Sequence, residues 1–180
     1  MEAFYRFVRR LVYGFGGAGL DYAFTGALAV SFYGAPRTTT DVDVVVAVSG
    51  LDVKGRVASA LRRAGLDVDE RKLDSALTSG YRIASFRDKA TPYTLDVIFL
   101  EGELRKRAGM IEGLSTFFQP PEDLILAKLR MIKATVPKER TVKDEGDVKA
   151  ILQFTIVDLE AVKKQAKKDK TLEVLEGLIE

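Results

Sequence analysis

The spacing of apolar and polar positions predicts a helix at the start of the chain. Apolar side chains recur there at helical spacing, and arginines occupy the opposite side. The apolar positions are Phe4, Phe7, Val8, Leu11 and Val12. The glycine-rich run over 14–19 is expected to end this helix as a flexible connection. Its spacing fits neither the Walker pattern nor the dinucleotide fingerprint.

A short strand, a glycine and a short helix are predicted next. The strand covers 22–25, and the helix covers 27–33 before Gly34 and Pro36 end it. Gly26 lies between them. A helix N-terminus beside a glycine offers N–H groups to an anion and lets phosphate approach the backbone. Simple helix packing is the alternative explanation.

The run RTTTDVDVVV over 37–46 is the most informative stretch of the sequence. Its valines favour a buried strand, in which Asp41 and Asp43 point to the same face. Two carboxylates this close repel each other unless a cation lies between them. Oxygen ligands suit Mg²⁺ or Mn²⁺, so the pair is a candidate metal site. The alternative is that Asp41 ends a turn and Asp43 faces solvent.

The middle of the chain predicts further elements around a second acidic strand. Asp96 lies alone in the apolar strand 93–100, and a buried carboxylate needs a partner. An acid on an edge strand facing water is the alternative. The expected elements are a helix over 50–64, a strand over 66–71, a polar link over 72–79, a hairpin of strands 81–86 and 93–100, and a polar helix or linker over 102–110.

The C-terminal third is predicted to be helical, after a boundary at the prolines that follow Phe118. Lys128 lies within an apolar group on a helix that opens at Pro121, where an ordinary lysine would extend to water. Asp144 and Asp147 are three positions apart and share one face of the next helix. A lysine-rich stripe over 163–170 is interpreted as a solvated face, with an RNA-contacting surface as the alternative.

Composition narrows the chemistry. The chain has 180 residues, a net charge of +2, no cysteine and no histidine. These counts exclude disulfides, thiolate sites and histidine-ligated zinc, so carboxylates, lysine, arginine and hydroxyls must carry any reaction. The absence of asparagine and the abundance of charged residues suggest a heat-adapted source. Without a signal-like or membrane-spanning run, a soluble cytoplasmic protein is expected.

The spacing of these motifs resembles a known superfamily. Gly26-Ala27, a short helix, Arg37-x-Thr39-x-Asp41-x-Asp43 and an apolar strand resemble the nucleotidyltransferases related to DNA polymerase β. The chain is most similar to small prokaryotic members that include the toxins of AbiE-type toxin–antitoxin pairs. Those families commonly have Gly or Ser at the position of Ala27, which here removes a hydroxyl contact to phosphate.

The resemblance implies a fold and a division of the chain. The expected fold is α/β, with a small mixed sheet flanked by helices and C-terminal helices closing the cleft. Residues 1–119 would form the catalytic core, and residues 120–180 a helical segment packed on it. The resemblance also implies residue roles. Catalytic and metal-binding roles fall to Asp41, Asp43 and Asp96, and nucleotide-binding roles to Gly26, Ala27, Arg37, Thr39, Lys128, Asp144 and Asp147.

The implied function is Mg²⁺- or Mn²⁺-dependent transfer of a nucleoside monophosphate from an NTP to a hydroxyl acceptor. RNA such as tRNA, a protein or a small molecule would be the acceptor, and an antitoxin would be a further partner. The alternative is a catalytically degenerate module that binds a nucleotide or a partner of a toxin–antitoxin-like pair. The sequence sets neither the preferred NTP nor the oligomeric state.

Overall fold

The computed structural model describes residues 2–34 and 36–179. These residues form eight α-helices, six strands and a 3-10 helix. In chain order the elements are α1 Glu2–Gly17, β1 Tyr22–Thr25, α2 Gly26–Tyr33, β2 Asp41–Ala47, α3 Val53–Arg63, α4 Glu70–Thr78, β3 Ile83–Arg87, β4 Thr94–Leu100, β5 Arg107–Ile111, β6 Leu114–Phe118, α5 Pro121–Ala134, the 3-10 helix Lys138–Thr141, α6 Val142–Phe154, α7 Leu159–Lys168 and α8 Leu172–Ile179.

The chain divides into two compact units. The first unit comprises Met1–Ala27 and Thr38–Gln119, and the second comprises Leu28–Arg37 and Pro120–Glu180. The six strands belong to the first unit together with α1, α3 and α4. Helices α5 to α8 belong to the second unit, while α2 starts in the first and continues in the second.

The strands of the first unit form one mixed sheet in the order β3-β4-β2-β1-β6-β5. Strand β2 lies between β4, to which it is parallel, and β1, to which it is antiparallel. Strand β6 runs parallel to β1, and the outer strands β3 and β5 pair antiparallel with their neighbours. This arrangement confirms the predicted α/β fold with a mixed sheet. It also places the strand of the acidic motif at the centre of the sheet.

The two faces of β2 differ because side chains alternate along a strand. Val42, Val44 and Val46 are fully buried on one face. The opposite face begins with Asp41, which is exposed, and Asp43, which is half-buried. The valines therefore anchor the strand, and the carboxylates are left on the side where a ligand has access.

Helix α1 is longer than the sequence predicted, because it continues through three glycines to Gly17. A methyl group built on Gly14 would lie 2.6 Å from the carbonyl oxygen of Ala60. Gly14 thus allows α1 to approach α3 closely, and this packing keeps the glycine-rich segment helical although glycine costs roughly 1 kcal/mol relative to alanine in a helix.

The prediction for residues 66–79 was wrong. Instead of a strand and a polar link, Leu66 makes only an isolated bridge and residues 70–78 form α4. The Asp69 carboxylate caps this helix by accepting a hydrogen bond from the N–H of Arg71 at 3.0 Å. Leu73 and Ala76 are buried, and their spacing of three residues is helical.

The prediction of a polar helix or linker over 102–110 was also wrong. Residues 107–118 form the β5–β6 hairpin, with Ile111 opposite Leu114. The two residues between them, Glu112 and Gly113, both have positive φ, at 48° and 76°. Such a two-residue turn matches the right-handed twist of paired strands.

Apolar helix faces form the interior of the second unit. Leu124, Ile125 and Leu129 of α5 are at most 2% exposed, and the buried positions of the following helices are Val148, Ile151, Val162, Ala166 and Leu175. Pro121 occupies the first turn of α5, where its missing N–H is tolerated. None of the helices in the described ranges, 2–34 and 36–179, has the length and apolar character to cross a membrane.

Candidate active site

Three carboxylates of the first unit lie on one face of the sheet. Asp41 and Asp43 share a face because they are two positions apart on β2. On the neighbouring parallel strand β4, Asp96 lies directly opposite Asp43. Adjacent strands are about 4.8 Å apart, so Asp43 and Asp96 are immediate neighbours. The structure thus brings together the three acids that the sequence singled out.

Hydroxyl groups hold two of these acids. Thr94 donates a hydrogen bond to the Asp41 carboxylate at 2.7 Å, and Thr40 donates to the same oxygen at 3.3 Å. Ser85 on β3 donates to the Asp96 carboxylate at 2.6 Å. Among the described residues, no cation forms an ion pair with Asp41 or Asp96. Their negative charge is therefore not neutralised by the protein groups around them.

Thr39 fixes the entry into β2. Its hydroxyl accepts a hydrogen bond from the N–H of Asp41 at 3.2 Å and donates to the carbonyl of Asp41 at 3.0 Å. These bonds hold the backbone in place at the first acid. In the structure the predicted nucleotide-binding residue Thr39 orients the acidic strand.

Gly26 lies directly beside Asp43. Its φ is +57°, in the left-handed region, and a methyl group built on it would lie 1.9 Å from a carboxylate oxygen of Asp43. Any other residue would be strained in this conformation and would displace the acid. The close approach places the first residue of α2 against the carboxylates, followed by Ala27, whose side chain is buried.

The charged residues predicted to bind nucleotide form a cluster within the second unit. The Lys128 ammonium lies 2.8 Å from Asp144 and 2.6 Å from Asp147. Arg37 donates to the same Asp147 carboxylate. The side chains of Lys128 and Asp147 are only 12% and 7% exposed. Two cations and two anions thus balance each other in a largely buried network.

The sequence analysis did not name three polar residues that the strand register aligns with the acids, namely Ser85, Thr94 and Arg87. Their alignment depends on the register between strands, in which Arg87 lies opposite Thr94 and Thr94 opposite Asp41. The guanidinium group of Arg87 is exposed and has no ion pair in the described part of the chain. Strand alternation was the available signal, because Ser85 and Arg87, like Thr94 and Asp96, are two positions apart.

The acidic face offers carboxylate oxygens, which Mg²⁺ and Mn²⁺ prefer. Within residues 2–34 and 36–179, no group of three or more acidic side chains is placed so that it could hold a metal ion by itself. The chemistry of the donors fits a divalent cation that also takes ligands from a bound molecule. The roles of the individual acids stay predictions.

Comparison with known proteins adds information about the fold. No protein-family model and no curated protein matches the chain in sequence. The solution structure of the antibiotic-resistance factor ANT(2″)-Ia superposes with a TM-score of 0.70 at 12% identity, covering 98% of this chain and 96% of that one. Its crystal structure in complex with adenylyl-2″-tobramycin gives a TM-score of 0.65 at 12% identity, covering 91% and 96%.

A second similar protein carries the same fold. An antigenic nucleotidyltransferase-like protein from Paracoccidioides brasiliensis superposes with a TM-score of 0.59 at 13% identity, covering 93% of this chain and 92% of that one. At these identities the similarity concerns the fold, and the resemblance to AbiE-type toxins stays a prediction. The chain therefore shares the fold of ANT(2″)-Ia and of this nucleotidyltransferase-like protein.

Proposed function

We propose that this protein transfers a nucleoside monophosphate from an NTP to a hydroxyl acceptor and releases pyrophosphate. The observation that carries the proposal is the register that sets Asp43 beside Asp96, with Asp41 on the same face and Gly26 against the acids. Three acids gathered on one face are a poor choice for stability alone, since like charges repel. A divalent cation bound together with a polyphosphate would offset this repulsion.

Asp41 and Asp43 would hold the divalent cation together with the triphosphate. Mg²⁺ requires about six oxygen ligands, more than two carboxylates supply, so phosphate and water oxygens fill the remaining positions. The bound cation would supply Lewis-acid stabilisation of the charge that develops on the phosphates. Thr94 and Thr40 hold the Asp41 carboxylate, and Thr39 fixes the backbone that carries it.

Asp96 would act on the acceptor. The acceptor oxygen attacks the α-phosphorus, a new P–O bond forms, and the bond from the α-phosphorus to the oxygen bridging to the β-phosphate breaks. Pyrophosphate leaves, and the acceptor hydroxyl proton passes to Asp96. In a chain without histidine a carboxylate is a suitable base. The hydrogen bond from Ser85 orients the Asp96 carboxylate for this role.

The charged cluster of the second unit is a proposed nucleotide-binding element. Lys128 and Arg37 already neutralise Asp144 and Asp147, so a phosphate that engages these cations must compete with the two carboxylates. Lys128→Ala is expected to weaken NTP binding, whereas Lys143→Ala, on the exposed surface of α6, leaves it unchanged. Equal NTP affinity of both variants would remove Lys128 from the site.

The acceptor belongs to one of three chemical classes. A small molecule with several hydroxyl groups is supported by the similar fold of ANT(2″)-Ia, whose crystal structure contains adenylyl-2″-tobramycin. RNA and protein are the other candidate acceptors. An antitoxin is proposed as a further binding partner, in addition to the acceptor. A nucleotide-binding module without catalysis is the competing function.

The test is incubation of the purified protein with each α-labelled NTP and Mg²⁺ or Mn²⁺. Separate reactions contain an aminoglycoside, total RNA and total protein as acceptors. Label transferred to one acceptor class by the wild type and by Asp67→Asn, a matched change at an exposed acid, but not by Asp43→Asn, supports the proposal. NTP binding without transfer to any acceptor would favour the competing module.

A further inference from the structure

The outer face of α1 carries a row of arginines with one exposed aromatic ring. Arg6, Arg9, Arg10 and Tyr13 lie at helical spacing on the side opposite to the buried apolar positions. They line a cavity of about 480 Å³, within the range of ligand-binding cavities. The remaining lining residues are Ala3, Ala90 and Thr91.

Of these arginines, Arg10 is the one that groups in the described part of the chain firmly neutralise. Arg10 donates to the buried Asp88 carboxylate at 2.8 Å and to the carbonyl of Ala64 at 2.8 Å. Arg6 lies 4.0 Å from Glu2, an exposed pair of little energetic value. The guanidinium group of Arg9 makes no ion pair or hydrogen bond with another described residue. The cavity wall therefore keeps a positive charge.

Arg63 of α3 extends this charge along the helix. A methyl group built on Gly17 would lie 3.5 Å from a guanidinium nitrogen of Arg63. Gly17 lies on the same face of α1 as Arg6, Arg10 and Tyr13, because these positions are related by helical spacing. Arg63, like Arg9, has no ionic partner in the described ranges. We name Arg6, Arg9, Arg10 and Arg63 the arginine band.

The packing of α1 does not account for the arginine band. The buried positions of α1, such as Phe7 and Leu11, lie on its other face. Cations one turn apart on a helix destabilise it slightly. Tyr13 is 61% exposed, and no hydrogen bond or ring contact to another described residue holds it. A ligand that supplies anions and flat apolar surfaces would complement both the unpaired charge and the exposed ring.

We propose that the arginine band and Tyr13 bind single-stranded nucleic acid. From Arg6 to Gly17 the helix rises about 16 Å, at about 1.5 Å per residue, which is more than one phosphate group spans. Arginines along a groove follow a phosphate backbone, and an exposed tyrosine ring stacks on an unpaired base. A free mononucleotide would use only part of this length, so charge complementarity favours a single-stranded nucleic acid.

The surface lies at the end of the sheet that carries the acids. Ala90 and Thr91 belong to the connection between β3 and β4. This connection leads into Thr94, whose hydroxyl donates to Asp41. If the bound nucleic acid is also the acceptor, which rests on the proposed function, the arginine band would hold it near the end of the sheet where transfer takes place.

The test measures the affinity of the full-length protein for a fluorescent 20-nucleotide single-stranded RNA of mixed sequence, without NTP. Arg9→Glu and Arg63→Glu are expected to weaken binding and to flatten its salt dependence. The slope of log affinity against log salt should change by about 0.7 for each phosphate group that the variant no longer neutralises. Tyr13→Ala is expected to reduce affinity roughly 5- to 100-fold with little change in that slope.

The matched control is Lys143→Glu, which makes the same charge change at an exposed lysine of α6. Unchanged affinity of Arg9→Glu and Arg63→Glu, or an equal decrease in Lys143→Glu, would overturn the proposal. Competition by AMP at the same concentration as the RNA would also overturn the proposal and indicate a small-anion site. Because no turnover is measured, failure here leaves the proposed transfer reaction standing, and failure of transfer leaves RNA binding measurable.

Discussion

At the scale of single residues, Asp43 is the most constrained of the three acids. It has Asp96 opposite on one side, Thr25 opposite on the other, and Gly26 against its carboxylate. The charges of two carboxylates this close to each other repel. This repulsion is expected to fall when a cation binds or when one acid is neutralised.

Asp41→Asn is predicted to abolish transfer while preserving the fold. The amide keeps an oxygen that accepts from Thr94 but removes a charge, so stability without metal should be unchanged or higher. Removal of a metal ligand should lower the transfer rate by roughly a hundredfold or more. Transfer assays and thermal melting of the two proteins check both effects. Near wild-type transfer would show that Asp41 is not part of the site.

The residue pattern predicted the acids better than their supports. Alternation along β2 alone places Asp41 and Asp43 on one face. That Asp96 lies opposite Asp43 depends on strand register, which is set by the whole sheet. Ser85 and Thr94 are ordinary polar strand residues until that register is known. The pairing of Lys128 with two acids likewise requires α5 and α6 to be packed together.

Asp88 provides a pH-dependent contribution to stability. Burial opposes its ionisation, but hydrogen bonds from Arg10 and Thr91 outweigh burial and hold the pKa of Asp88 below its ordinary value of 3.8. The stabilisation is therefore fully present well above pH 3.8 and is lost as the pH falls through the pKa of the folded state.

Asp88→Asn is predicted to lower the free energy of unfolding by about 2 kcal/mol near neutral pH. Breaking a buried ion pair costs more, but Arg10 remains one-third exposed and can still be hydrated. Urea unfolding between pH 7 and pH 3 checks this effect. The difference between the two proteins should shrink as the pH falls below about 4, and a difference that stays constant down to pH 3 would contradict the account.

At the scale of elements, α1 has two unlike faces. Its inner face packs closely against α3 at Gly14, and its outer face carries three members of the arginine band, Arg6, Arg9 and Arg10. The extension of α1 through the glycines therefore serves both the core and the surface that we propose binds nucleic acid.

Gly14→Ala and Gly16→Ala are predicted to have opposite effects on stability. The Gly14 methyl group would lie 2.6 Å from a backbone oxygen, so α1 and α3 must separate, which should cost about 1–3 kcal/mol. The Gly16 methyl group meets no described atom within 4 Å, and alanine should stabilise the helix by about 0.5–1 kcal/mol. Chemical denaturation measures both; equal effects would refute the close approach of α1 and α3.

The elements that the sequence mispredicted are those whose local pattern is ambiguous. Residues 66–71 alternate like a strand, but the Asp69 cap and the burial of Leu73 and Ala76 favour the helix α4. The β5–β6 hairpin contains mostly exposed residues in its first strand, so its pattern lacks the apolar alternation of a buried strand. Pairing with β6 decides its conformation.

At the scale of the whole molecule, each unit gathers residues that are distant in sequence. The first unit aligns acids from β2 and β4, and the second gathers Arg37, Lys128, Asp144 and Asp147. The sequence resemblance singled out both groups, since each follows a short spaced motif. The assignment of residues 28–37 to the second unit depends on tertiary packing, for example the hydrogen bond from Thr155 to the carbonyl of Tyr33.

Mg²⁺ with NTP is predicted to raise the melting temperature of the protein. At a nucleotide concentration 100 times Kd the gain is about 2.7 kcal/mol, or roughly 5–10 °C for a chain of this size. EDTA should abolish the shift, and Asp43→Ala should remove it while Asp67→Asn retains it. A full shift in Asp43→Ala would mean that the nucleotide binds elsewhere.

The most direct test of the central claim is to compare ATP labelled at the α-phosphate with ATP labelled at the γ-phosphate, in the presence of Mg²⁺ and the acceptor. The account predicts that the α-label joins the acceptor, that the γ-label appears only in pyrophosphate, and that Asp43→Asn does neither at a comparable rate. Transfer of the γ-label to the acceptor, or transfer of the α-label by Asp43→Asn at the wild-type rate, would contradict nucleotidyl transfer at these acids.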